Sequence, residues 1–483
     1  MRRGFRRNFE PIRIMSDSQV EAIHRATLDV LEKTGVKFES ERALRLLEQN
    51  GCYVDYRERI ARIPGYLVEE CIRRTPSSFM VRARVPENDL RIGGNTLYFL
   101  SSAGARYTDV DTGEVRKATL AENDEAVLIS DALNTVDFFP SYTPYFEIEE
   151  VPPVMLCPTS LASRIRFSSK VSRGAQATDS FIFETQLSQA CGQQLIGVCE
   201  AAPPLSYPED AINAAFEYTS AGFPMFIAAG SAMGGSSPVT VAGATISNNA
   251  ELLACVVLIQ CMKPGTGICA NDFVTPMDME SGGFLFGALG VNLHQMAFNQ
   301  LWSQVYKIPT VNTGSAFSNS KLIDYQSGYE KTHTAMASAL SGANVIVLHG
   351  GVTAELAYNP LLAIINDDVA NIIGRTVEGF EVNDETMAIE LIEKVGPVPG
   401  TFLNKTHTRV NWKKEYFVPA VADRLSYQEW LRQGKKSMIY LAKERMEEIL
   451  ATHKPDPLTP EQEKDIERIL EDARRYYRKK GLL

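Results

Sequence analysis

LIGVCEAAPPLSYPEDAINAAFEYTSAGFPMFIAAG, residues 195–230, holds one complete structural unit. Leu195–Glu200 is a short apolar run that ends on a carboxylate. Ser206, with Glu209 three residues on, reads as a capping box. It opens the helical pattern DAINAAFEYTSA, which Gly222 and Pro224 close. Pro224–Gly230 is a second apolar run. A strand, a helix and a return strand within about 30 residues mark a βαβ crossover.

The unit repeats in both directions. Leu97–Ser101, Asp137–Tyr142 and Phe167–Ser172 precede it, and Thr266–Asp272, Ile308–Gly314 and Asn344–Gly351 follow. That makes eight runs, with successive starts 28 to 42 residues apart. Helix punctuation falls between them: Thr119 with Glu122 is a second capping box, and Gly192 and Gly342 end two helices just before a strand. Eight such units predict an α/β fold, a (β/α)8 TIM barrel. A doubly wound open sheet is the alternative. It would carry G-x-G-x-x-G after its first strand, where this chain has SSAGARYTD.

The expected layout is an N-terminal helical cap over 1–90, the barrel over 91–375 and a C-terminal helical extension over 376–483. In the cap, Ser16 and Gln19 form a capping box, with Met15 and Val20 placed as a hydrophobic staple. Further helices are expected over Ser40–Asn50 and Pro64–Arg74. The tail from Glu463 has apolar residues at helical spacing (Ile466, Ile469, Leu470, Ala473) and reads as a surface or inter-subunit helix. ELLACVVLIQCM, Glu251–Met262, is shorter than the ~20 residues of a membrane span and reads as a buried helix.

The 483 residues carry 49 Lys+Arg against 59 Asp+Glu, a net charge of −10, with 45% hydrophobic and 22% charged residues. That is the mix of a globular protein, not a disordered one. The acidic balance argues against a broad nucleic-acid footprint. Eight cysteines without a C-x-x-C pair imply free thiols in a reducing cytoplasm, and the basic opening MRRGFRRNFEPIR has no apolar stretch behind it, so no secretory leader is expected. There is no P-loop, H-E-x-x-H or G-x-S-x-G, and no two of the six histidines stand at metal-ligand spacing, so no resident metal is expected. GSAMGGSS, Gly230–Ser237, offers backbone N–H groups for a phosphate, or is simply a mobile loop.

Active residues of such a barrel sit at the C-terminal strand ends. Those ends supply Ser101, Ser102, Tyr142, Tyr145, Arg173, Glu200, Ser231, Asn271, Asp272, Phe273, Asn312, Thr313 and His349. Asn271 and Asp272 break an apolar strand abruptly, and His349 ends another before two glycines. Tyr142, Tyr145, Phe273 and Phe317 could cage a quaternary ammonium group, or merely pack. No nucleophile-plus-base pair stands out, which points to binding and positioning, with the hard chemistry supplied from elsewhere.

Five stretches resemble one family. SDSQVEAIHRATLDVLEKTGVKF with IPGYLVEECIRRTP, then VTPMDMESGG (Val274–Gly283), SNSKLIDYQSGYEK (Ser318–Lys331) and HGGVTAELAYNPLLAIINDDV (His349–Val369) are similar to the trimethylamine methyltransferase superfamily, in the branch without pyrrolysine. The resemblance implies a TIM barrel. It also implies methyl transfer from a quaternary amine of the betaine type (glycine betaine, proline betaine or a carnitine-like compound) to the Co(I) corrinoid of a cognate corrinoid protein. On that reading this chain binds no cofactor tightly and touches neither nucleic acid nor membrane, and it forms a homo-oligomer. Glu200, Asn271 and His349 are then the expected catalytic residues. Tyr142, Tyr145, Asp272, Phe273, Thr313, Phe317, Gln326 and Glu330 are expected to bind substrate. Asn359-Pro360-Leu361 departs from the serine–proline–glutamate associated with the family. Two rival readings are a Schiff-base lyase using Lys170 and a barrel that binds quaternary amines or a corrinoid protein without catalysis.

Overall fold

The computed structural model describes residues 4–142 and 144–483. Eight parallel strands close into a barrel: β1 Thr96–Ser101, β2 Phe138–Phe139, β3 Val171–Arg173, β4 Leu195–Glu200, β5 Met225–Ala229, β6 Ile268–Asp272, β7 Thr310–Asn312 and β8 Val345–His349. Each pairs with the next, and β8 returns to β1 with Val345 opposite Tyr98 and Val347 opposite Leu100. All eight lie within or against the expected runs. The third run starts too early, because Phe167 still belongs to the preceding helix.

One long helix follows each strand: α1 Leu120–Ala132, α2 Leu156–Phe167, α3 Ser180–Ala190, α4 Glu209–Ser220, α5 Val241–Met262, α6 Leu289–Asn299, α7 Tyr325–Ser341 and α8 Pro360–Glu378. The capping boxes at Ser16 and Thr119 form as expected. The one expected at Ser206 does not. Ser206–Tyr207 instead pairs in parallel with Val36–Phe38 of the cap, and Pro208 takes the N-cap position. A local signal loses there to a long-range strand pairing.

The cap contains more than helices. Its helices Asp17–Lys33, Glu41–Gln49 and Gly65–Arg74 surround strands Val36–Phe38, Tyr53–Asp55 and Ile60–Arg62, and a hairpin Ser78–Val81/Leu90–Gly93 leads into the barrel. The cap helices pack on α5. That explains why α5, 22 residues long and apolar all round, has no polar face: it lies between the barrel wall and the cap. The apolar segment is thus longer than the sequence run suggested, and 78% of its most hydropathic window is buried. The C-terminal helix Pro460–Lys479 buries Ile466, Ile469, Leu470 and Ala473 and packs on α3. It is therefore part of the barrel's own outer layer, not a free surface helix.

Candidate active site

The upper ends of the strands enclose a cavity of about 340 Å³. Tyr142, Phe146, Phe273 and Phe317 give it aromatic walls, and Arg173, Glu200, Asn271, Thr313 and Glu355 give it polar groups. Phe317 lies 6.1 Å from Phe273 and 5.4 Å from Phe286, and Tyr142 lies 5.2 Å from Phe146. These are the separations of packed aromatic pairs, so the walls are supported from behind.

Each polar group has a defined support. Thr313 Oγ1 donates to Asn271 Oδ1 at 2.6 Å, which turns the Asn271 amide NH₂ toward the remaining space. Arg173 lies 3.6 Å from Glu200, donates to Ser141 Oγ at 2.9 Å and covers the Phe226 ring at 4.2 Å. Glu200 is tied to the next loop by its backbone N–H, which donates to Gln176 Oε1 at 2.9 Å. Behind this edge lies the fully buried Arg164. It donates to the carbonyls of Arg173 (3.0 Å), Ser141 (2.9 Å) and Pro140. Burial pulls its guanidinium down to about 10, against the attraction of buried Glu184. Glu184 in turn accepts from Ala175 N and the Tyr218 hydroxyl.

Of the expected residues, the cavity brings together Glu200, Asn271, Tyr142, Phe273, Thr313 and Phe317. It leaves out five. Asp272 follows Asn271 on a strand, where successive side chains face opposite ways. It points outward, to His294 Nδ1 at 3.0 Å. His349 is re-aimed by a bulge between Val347 and His349. Its Nε2 lies 2.8 Å from Thr135 Oγ1, and its ring sits edge-on to Phe99, outside the barrel. Tyr145 is fully buried against Tyr358, 5.7 Å away. Gln326 donates to Glu330, and Glu330 accepts from Ser318 Oγ (2.6 Å) and Asn319 N (2.9 Å), so this pair braces the loop after β7. Lys170 lies before β3, away from the cavity, where its Nζ donates to the carbonyls of Leu133 and Ser130. In GSAMGGSS, the N–H groups of Gly234 to Ser237 are all spent on Ala232 O or Ser237 O, so none of these four is free for a phosphate. Asn359 caps α8, accepting from Leu361 N and Leu362 N.

Sequence reasoning missed Phe146 and Glu355. Glu355 follows two non-glycine residues in the left-handed region, Thr353 (φ 55°) and Ala354 (φ 56°). No composition or spacing rule announces such a turn. The one available signal was its place in the loop after β8.

The outward His349 makes a pH prediction. Burial, then the Lys331 and Lys170 charges, hold its imidazole down at about 3, against an ordinary 6.5. Between those values the unfolded chain binds the extra proton, so stability falls as pH falls through that window. His349→Gln is expected to remove about 1 kcal/mol of that loss per pH unit below the ordinary histidine range. Urea midpoints at neutral and mildly acidic pH would check it, and identical pH slopes for both proteins would refute it.

Comparison with known proteins gives a consistent set of relatives. Residues 1–476 match the family Trimethylamine methyltransferase (MTTB). The chain is 30% identical over 459 residues to a glycine betaine methyltransferase of Desulfitobacterium hafniense, covering 93% of this chain and 94% of that protein. It is 28% identical over 472 residues to a trimethylamine methyltransferase from another strain of that organism, covering 96% and 94%. Among solved structures, the monomethylamine methyltransferase of Methanosarcina barkeri superposes with a TM-score of 0.53 over 96% of this chain and 89% of that one. At 13% identity, that likeness is one of fold.

Proposed function

This chain belongs to the trimethylamine methyltransferase family, and from that premise we propose that it takes a methyl group from a betaine-type quaternary amine and delivers it to the reduced corrinoid of a separate protein. One observation carries the substrate side: a single cavity sets aromatic walls beside the Asn271–Thr313 and Arg173–Glu200 pairs. Its 340 Å³ is near the lower end of the ~300–1,000 Å³ usual for small-molecule sites. The relative named as a glycine betaine methyltransferase supports the same class.

The acceptor supplies a strongly nucleophilic cobalt, so this chain need not supply a nucleophile. The N–CH₃ bond breaks with its electron pair left on nitrogen, and a quaternary nitrogen needs no acid to leave as a neutral amine. What remains for the protein is to hold and aim the substrate. Tyr142, Phe273 and Phe317 hold the ammonium by cation–π contacts worth about 0.5–2 kcal/mol each. Asn271 receives the carboxylate through its NH₂. The nitrogen loses its charge during transfer, so very tight cation binding would stabilise the ground state and slow the reaction. Alignment matters more, since positioning can supply up to about 7–11 kcal/mol. Val239, Met279, Phe284 and Leu289 stand exposed on the loops after β5 and β6 and at the start of α6. They form an apolar rim on which a partner protein can land.

The test supplies the purified protein with a Co(I) corrinoid protein and a panel of glycine betaine, proline betaine, carnitine, choline and tetramethylammonium. Methylation of the corrinoid with a carboxylated member is the expected result. Binding without turnover, with an authentic partner present, would favour a sensor, and no response to any member would overturn the proposal.

A further inference from the structure

Two carboxyl groups line the cavity, and they differ in what else they touch. Glu200 already faces Arg173. The carboxyl of Glu355 has no hydrogen-bond or ion-pair partner among the described residues. Its position is nevertheless fixed. Ala354 N donates to Ser318 O at 2.7 Å and Thr353 N to Ser320 O at 3.0 Å, and on the other side Ala105 N donates to Glu355 O at 3.3 Å and Arg106 N to Leu356 O at 2.9 Å. The left-handed pair Thr353–Ala354 is strained, and backbone in that state persists only where its surroundings over-determine it. Here the surroundings include the Glu330–Ser318 brace. The loop after β7 therefore holds the turn that presents Glu355 to the cavity.

We propose that the Glu355 carboxylate is the counter-ion of the substrate's ammonium group and gives the site its preference for a quaternary nitrogen over an uncharged carbon of the same shape. This rests on the quaternary-amine reading of the cavity. The argument is one of charge balance. Arg173 and Glu200 cancel each other. A bound betaine gives its carboxylate to the Asn271 NH₂, which leaves a positive nitrogen in a half-enclosed, aromatic space. Glu355 is the lining anion with no cation of its own.

Burial, and then the Glu200 charge, raise the Glu355 carboxyl above its ordinary range. An arriving cation reverses that balance and expels a proton, so betaine affinity should rise with pH through the carboxyl's titration. The other charged or titratable groups around it are committed. Within the cavity Arg173 pairs with Glu200, and burial, then the Cys157 thiol, push the Tyr142 phenol up so that it stays neutral. On the neighbouring elements Arg106 pairs with Glu147 at 3.0 Å, Lys321 donates to Asn319 O, Lys331 donates to Ala316 O and Gly351 O, and Glu330 holds Ser318.

Calorimetry on the full chain tests this with two ligands: glycine betaine and 3,3-dimethylbutanoate, in which carbon replaces the charged nitrogen. Glu355→Gln is expected to weaken betaine binding about tenfold or more, and binding of the isostere, an anion whose quaternary carbon carries no charge, by less than about twofold. Glu355→Asp, which keeps the charge, should recover part of the betaine affinity. Wild type titrated in the acidic range, through the carboxyl's own titration, in buffers of different ionisation heat should release protons on binding betaine but not the isostere. If E355Q does not fold, E355D and the proton release carry the test. Betaine binding that E355Q leaves unchanged, or weakens no more than isostere binding, overturns the assignment while the cavity's function stands. So does an absence of proton release by wild type. A wild type that binds no quaternary amine removes the underlying reading, and this proposal with it.

Discussion

Arg164→Met is expected to destabilise the folded protein by about 3–5 kcal/mol. The substitution keeps the length of the side chain and removes its charge. Four backbone carbonyls (Pro140, Ser141, Ser160 and Arg173) then lose a donor inside the protein. A buried acceptor that loses its last donor costs about 1–3 kcal/mol, partly recovered by local relaxation. Glu184 loses the nearby positive charge that helps keep it ionised, and it is already raised by burial. Its remaining donors, Ala175 N and the Tyr218 hydroxyl, let it take up a proton and limit the damage. Chemical denaturation followed by circular dichroism measures the effect. A loss below about 1 kcal/mol would show that water or a shifted backbone replaces the guanidinium. Because Arg164 holds both Ser141 and the Arg173 carbonyl, a variant that still folds should also bind substrate less well.

The largest effect on activity is expected at Asn271. Its Oδ1 is occupied by Thr313 Oγ1, and its NH₂ has no acceptor among the described residues. In the proposed complex it donates to the substrate carboxylate. A hydrogen bond to a charged group is worth about 1.5–3 kcal/mol, so Asn271→Leu should lower kcat/KM for glycine betaine by about 10- to 150-fold. Thermal stability should change little, because the leucine fills similar volume in a cavity that is already half apolar. Tetramethylammonium has no carboxylate, so its binding should be nearly unaffected. A loss of equal size for both ligands would mean that Asn271 shapes the cavity and does not read the carboxylate.

These residues show how unevenly the site is written in the sequence. Asn271 was legible, because a polar residue ending an apolar barrel strand has little reason to be there except the mouth of the barrel. Thr313 and Glu200 were legible on the same ground, and Tyr142, Phe273 and Phe317 as aromatics that could cage an ammonium group. His349 had the same credentials and points the other way. One bulge in β8 shifts the register after Val347, and a one-residue shift sends a strand side chain to the opposite face. Gln326 and Glu330 were found by family resemblance, yet they reach the cavity only through the loop they brace. Arg164 reads in sequence as an ordinary basic residue near a helix end, and the structure buries it fully behind the active edge.

The sequence by itself determined the elements and their order: eight strands, the helices between them, two capping boxes and the glycines that end helices. Those features depend on residues within a turn or two of one another, so a linear reading captures them. Only the tertiary structure decided which strand-end side chains share one space. Ser206 left its capping box for a strand of the cap, and Glu355 entered the cavity on a turn held by Ser318 and Ser320. In each case the direction of a side chain is set by hydrogen bonds to residues far away in the chain, and no local pattern carries that information.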